Sequence, residues 1–365
     1  MKKKLISVVL ALATIASLTA CGGSSGTTQT QAETTAAAAE QTAAASGESE
    51  AASGDVVEMD QTYTWNVAMN VGESTLNYKF YEKFKSDIEA RSGGKITMNL
   101  FPNGQLGGDA EQLLALMDGT VAFSTTITSG LTSTISEYGV WDLPNAFTDL
   151  DTMRKAEQNE DLLSALNEAS AQKNIHLMGM ADAGFRELTS NKAVNSVADL
   201  SGLKIRVIDN PYHQLYWTSL GASTTTMDFN EVYSSLQQKV IDAEENPYMN
   251  ITANRFYEVQ PYIIETNHLG HIMVFTMNNE LYNSLPENVR TLVDECAAAA
   301  LEETRAAADE AIAGYKKTIE DYGSQIITLD ESVLKEMQEK AQPVYDKARA
   351  DLGDELVDTF LNSAK

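Results

Sequence analysis

Two short apolar runs in this 365-residue chain end in side chains suited to holding an organic acid. Gly202-Leu203-Lys204-Ile205-Arg206-Val207 has the form of a buried strand that turns polar at Arg206. Val240-Ile241-Asp242-Ala243-Glu244-Glu245-Asn246-Pro247 repeats the form and ends at Asn246. A guanidinium fork matches a planar carboxylate through two parallel hydrogen bonds. An asparagine held extended by a following proline offers a fixed donor and acceptor beside it. Taken singly, Arg206 also fits a surface ion pair and Asn246 a turn.

Nothing in the chain looks built to transform such an acid. There is no Gly-rich phosphate loop, nucleophile elbow or Cys/His pair, and no cofactor is expected. His176, His213, His268 and His271 lack a convincing metal-ligand spacing. Carboxylates are abundant, so a glycosidase-like acid pair stays open on composition. A solute receptor leads, and an extracellular lyase or glycosidase acting on acidic sugars is the rival.

The elements that must position these residues alternate between strand and helix. Tyr63, Trp65, Val67 and Met69 recur with period two, as do Ile96, Met98 and Leu100. Between them Leu76, Phe80, Phe84 and Ile88 share a helix face, with Ser74 placed to cap it and Gly93-Gly94 to stop it. A short helix over 109–118 and a strand over 121–128 follow. Short strands are expected over 176–181, 202–207 and 240–243, with a helix over 211–220. Strands separated by helices predict parallel pairing in an α/β sheet. Ser284-Leu285-Pro286-Glu287 has the form of a capping box. The helix it starts is expected to reach Tyr322, a length suited to bracing two domains.

The N-terminus points outside the cytoplasm. Met1-Lys2-Lys3-Lys4 and the apolar run from Leu5 to Ala20 read as a secretory signal. Leu18-Thr19-Ala20-Cys21 resembles a bacterial lipobox, which predicts lipidation of Cys21. Residues 22–61 are mostly small and polar and predict a flexible tether. Only Cys296 remains, so no internal disulfide is expected. The net charge of −26 argues against nucleic acid and anionic lipid as partners. Any anion site must then be a local cationic pocket.

An ordered set of motifs resembles the substrate-binding proteins of TRAP transporters, of the DctP type. The set comprises Phe101-Pro102-Asn103-Gly104-Gln105-Leu106-Gly107-Gly108, Gly184-Phe185-Arg186, Asp199-Leu200 through Val207, Phe229-Asn230-Glu231-Val232-Tyr233, Glu245-Asn246-Pro247 and Thr266-Asn267-His268. The resemblance implies a two-lobed, periplasmic-binding-protein-like α/β fold with a long domain-spanning helix, closing on an organic anion and serving a two-part membrane permease. It implies a first lobe of residues 62–183 plus 273–310, a second of 184–272 plus 311–350, and a C-terminal helix over 351–365. It makes Arg206 the carboxylate holder, Arg186 a second cationic contact, Asn246 and Asn70 ligand contacts, and Phe229 a stacking surface. Asp109 matches a ligand-facing position but also suits a helix cap. Ala243-Glu244 replaces the family's common Gly-Gln. The expected ligand is a sugar acid such as a hexuronate, its hydroxyls meeting Asn70, Asp109, Asn210 and Glu245. A C4-dicarboxylate or sialic acid is the alternative.

Overall fold

In this computed structural model residues 54–147 and 149–363 are described, and all fall in one compact unit. The signal peptide, Cys21 and most of the expected tether lie outside them. The last residues assigned to that tether are docked: Val57 N–H donates to Arg91 O at 2.7 Å, and Asn288 Nδ2 to Glu58 O at 2.8 Å.

The alternating residues of β1 (Tyr63–Ala68) bury Trp65 and Val67. β1 lies between β2 (Ile96–Phe101) and β3 (Phe123–Ile127), parallel to both. The intervening helix Leu76–Arg91 is capped by Thr75 rather than Ser74, because Thr75 Oγ1 accepts from Tyr78 N. β5 (Lys204–Val207) pairs in parallel with β6 (Ser223–Thr226) and with β7 (Ala243–Pro247). β7 thus begins where the expected strand was to end. Val240 is still in the preceding turn, its N–H bonded to Ser235 O.

The expectation of purely parallel pairing misses two long strands. β4 (Ile175–Ser190) and β8 (Tyr262–Asn278) run antiparallel to each other through the centre of the sheet. The strand order is β2-β1-β3-β8-β4-β7-β5-β6, with β9 (Gln325–Thr328) added to β8. One end of β8 carries β3, the opposite end of β4 carries β7, and the register breaks between them at Asp182/Phe185. The sheet is therefore two halves that share a kinked central pair. Gly184 sits in the kink at φ +84°, a conformation that disfavours any side chain.

A 36-residue helix, Glu287–Tyr322, braces both halves. Val289, Leu292, Val293 and Ala300 join the core around Phe80, Phe123 and Phe275, while Ile319 joins the core around Phe229, Val232 and Ile251. Its alanines allow close approach to the sheet. Its start is not the expected capping box: Pro286 is the cap residue, and Ser284 Oγ donates backward to Leu281 O.

Candidate functional site

A cleft of about 520 Å³, open solvent at its mouth included, lies where the two sheet halves meet. Arg206 enters it from β5, with 3% of its surface exposed. Its Nε and Nη2 both donate to Met227 O, at 3.1 and 2.8 Å, which fixes one edge of the guanidinium. The group lies 6.0 Å from the ring centre of Phe229. Among the described residues no carboxylate pairs with it. Burial pulls its pKa below the usual arginine value against the opposing pull of Glu245 and Glu244. A buried cation without a counter-ion is costly, and an arriving carboxylate would relieve that cost.

Arg186, on β4, lines the cleft but is neutralised within the protein. Its Nε and Nη2 grip the Glu245 carboxylate, and Nη1 lies 2.8 Å from His271 Nδ1. Burial pushes the Glu245 carboxyl up, yet Arg186, helped by His213 and His268, holds it well below the usual range. His213 Nε2 meets Asp142 at 3.0 Å. Burial favours the neutral imidazole there, but Asp142 and Glu245 together raise its pKa. Glu245 is thus an internal counter-ion and does not line the cleft, contrary to the hydroxyl-binding role expected of it.

Asn210 departs from expectation in the same way. It caps the helix Pro211–Ser219 by accepting from Tyr212 N at 2.8 Å, and its amide donates to Asp142 at 2.6 Å. Fully buried in these contacts, it does not reach the cleft. Trp217 packs in the core, edge-on to His268.

The remaining expected residues meet at the cleft: Asn70, Asp109, Phe229 and Asn246 all line it. Asp109 is not a helix cap. Gly108 is the cap residue of the helix Asp109–Met117, and Glu111 accepts from its N–H at 3.0 Å. Burial raises the Asp109 pKa, while the Asn70 amide and Arg206 oppose that rise. Asn70 lies close enough to bias Asp109 without a well-formed bond, because both buried amide atoms lack partners. Phe229 is both cleft wall and core, since its ring also meets Phe256 edge-on at 5.9 Å.

Two lining asparagines escaped the sequence reading. Asn77 donates to Thr125 Oγ1 at 2.8 Å, and Asn250 donates to Asn246 Oδ1 at 3.1 Å. Each keeps a buried, unpartnered Oδ1. Asn77 had a detectable signal, because it falls on the apolar helix stripe three residues before Phe80. Among the described residues no cluster of three His, Cys, Asp or Glu side chains is arranged to hold a metal, and no helix is long and apolar enough to cross a membrane.

A family model, DctP, described as bacterial extracellular solute-binding protein, family 7, matches residues 67–351. The chain is 28% identical over 298 residues to the C4-dicarboxylate-binding protein DctB of Bacillus subtilis, covering 81% of this chain and 85% of the relative. A TRAP periplasmic solute-binding protein of Shewanella oneidensis with bound succinate superposes with a TM-score of 0.80. It is 28% identical, and the match covers 83% of this chain and 100% of that one. The Chromohalobacter salexigens counterpart with bound D-glucuronate gives 0.79 at 26% identity, over 82% and 99% of the two chains.

Proposed function

The chain belongs to bacterial extracellular solute-binding protein family 7, and we propose that this member is a lipid-anchored receptor for a sugar acid. It is an extracytoplasmic TRAP-type solute-binding protein and not an enzyme, so the lyase or glycosidase reading is set aside. Its ligand is an organic acid delivered to a membrane permease. The finer reading makes that ligand a hydroxylated monocarboxylate such as a hexuronate.

One observation carries this choice. Arg206 is a buried cation without an ion pair among the described residues, and it faces a cleft whose other polar lining is amides, threonines, Asp109, His271 and the already neutralised Arg186. Its guanidinium takes the carboxylate, with Asn246 beside it. The unpartnered atoms of Asn70, Asn77 and Asn250, together with the Asp109 carboxylate, suit hydroxyl groups. Arg186 supports Glu245 and contributes little net charge. The D-glucuronate and succinate found in similar structures make both classes natural probes. A C4-dicarboxylate would set its second carboxylate against Asp109.

We assign lobes of residues 62–183 plus 273–310 and 184–272 plus 311–350, hinged at the β4–β8 kink; in place of one C-terminal helix from 351, a helix Gln342–Leu352 ends before Gly353 and a second runs Asp354–Asn362. The lipobox-like sequence supports anchoring through Cys21. Thermal-shift and calorimetric screening of uronates, aldonates, sialic acid and dicarboxylates tests the ligand class. Stabilisation by succinate or malate with failure of every sugar acid would refute the sugar-acid reading.

A further inference from the structure

Glu244 stands outside the ligand contacts argued above, yet it is built into their support. It pairs in register with Arg206 on β5 and with Thr189 on β4, so the three side chains share one face of the sheet. The side chain is fully buried. Its Oε1 accepts from Thr189 Oγ1 at 2.8 Å, and its Oε2 accepts from Asn246 Nδ2. Asn246 Oδ1 accepts in turn from Asn250. Glu244 therefore fixes which way round the Asn246 amide is presented to the cleft. Among the described residues no cation pairs with it directly.

The charged groups around it are few. Glu245 adjoins it on β7 but is held by Arg186. Glu187 on β4 pairs in register with Asn246, and its carboxylate accepts from Asn267 N at 2.9 Å. Arg206 faces it from β5, with Asp109 beyond Arg206 in the cleft. The adjoining helix Tyr248–Ala253 brings no charged side chain.

We propose that Glu244 is a positioning residue that takes up a proton when an anion docks on Arg206, so that ligand capture tightens as pH falls. The inference rests on Arg206 being the anion contact, whichever organic acid it holds. Arg186 and Arg206 both favour ionised Glu244; a carboxylate on Arg206 offsets the second of these and adds a negative charge on the same face, so the proton affinity of Glu244 rises. Burial already lifts its carboxyl to about 7, with Asn246 and Thr189 opposing. A further rise therefore falls in the neutral range. The surrounding network holds either state. The carboxylate accepts from both neighbours, while the protonated group donates its O–H to Thr189 Oγ1 and still accepts from Asn246.

The test is titration calorimetry with D-glucuronate and with succinate at pH 6, 7 and 8, in two buffers of different ionisation enthalpy. The expected result is proton uptake near pH 7 and a Kd that weakens about tenfold between pH 6 and 8. Glu244→Gln keeps the shape and hydrogen bonds, and its Kd should be independent of pH without proton uptake. Glu187→Gln should keep the dependence of the parent. Absence of uptake in the parent protein, or its survival in Glu244→Gln, overturns the proposal. A second readout needs no ligand: carboxyl-carbon NMR of 13C-Glu protein, with Glu244 assigned by its loss in Glu244→Gln. A midpoint near neutrality supports the proposal, and one below about 5 overturns it. If neither anion binds, the calorimetry is run with the acid that thermal-shift screening selects; if that acid binds Arg206→Ala as tightly as the parent, the Arg206 reading falls and the proposal with it.

Discussion

Replacing Arg206 and Arg186 separately by alanine should split binding from folding. Arg206→Ala strands the ligand carboxylate in a buried cleft without its cation. Removing one partner of a buried charge pair costs about 3–5 kcal/mol. At about 1.4 kcal/mol per tenfold, Kd should rise at least about 100-fold. The ligand-free protein should barely notice. Its loss is the bond to Met227 O, about 1–3 kcal/mol, offset by removal of an uncompensated buried cation. Arg186→Ala does the reverse, because it leaves Glu245, at zero exposure, without its arginine and with only His213 and His268 against it. The same 3–5 kcal/mol now falls on the fold. For a folded part of this size that lowers Tm by roughly 5–8 °C. Calorimetry with D-glucuronate or another bound anion reads the first effect, and thermal melting of ligand-free protein reads the second. The charge assignment fails if Arg206→Ala binds within tenfold of the parent, or if Arg186→Ala melts normally.

Three further outcomes follow from particular residues. Gly184→Ala should cost about 1–3 kcal/mol in urea unfolding, because φ is +84° and the new Cβ would lie 3.0 Å from Ile312 Cδ1; an unchanged midpoint refutes strain at the kink. Burial raises the Glu187 carboxyl to about 8, against about 4.3 in an unfolded chain. The stability it permits is complete below pH 4.3 and is lost as pH rises through 8. Glu187→Gln should therefore match the parent at pH 4 and exceed it at pH 8, and parallel denaturation curves would contradict this. Cys21→Ser should release the protein from cells into the medium, and retention in the membrane fraction counts against the anchor.

Much of the fold was legible where periodicity is clean. β1, β2, the helix Leu76–Arg91 and the long helix to Tyr322 fall within a residue or two of expectation. β4 was legible only over 176–181 and β8 not at all. Buried on both faces for much of their course, they show continuous burial instead of alternation. Caps slipped where neighbouring hydroxyl residues or a proline compete, as at Ser74 and Thr75. Cleft-lining residues were legible where a motif and a strand end coincide, as at Arg206 and Asn246. Glu245 was misplaced for a reason already present in the sequence: successive strand residues face opposite sides, so Glu245 and Asn246 cannot both point into one cleft. Asn210 precedes Pro211, and that arrangement signals a helix cap before it signals a ligand contact.

The same alternation along β7 bears on which acid is captured. It sends Glu245 to Arg186 and Glu244 to the face of Arg206, giving each buried arginine a neighbouring carboxylate in a different relation. Glu245 touches Arg186 and cancels it; Glu244 shares a face with Arg206 and leaves its fork unpaired. The net result at the cleft is one buried arginine without a carboxylate partner among the described residues, with Asp109, His271 and unpartnered amides in the remaining lining. A second ligand carboxylate set about 4 Å from Asp109 meets repulsion of about 4 kcal/mol at an effective dielectric of about 20. Hydroxyls at that distance donate to the same carboxylate instead. On a chain whose net charge of −26 repels anions from afar, the proposed sugar-acid reading takes its affinity from this local contrast.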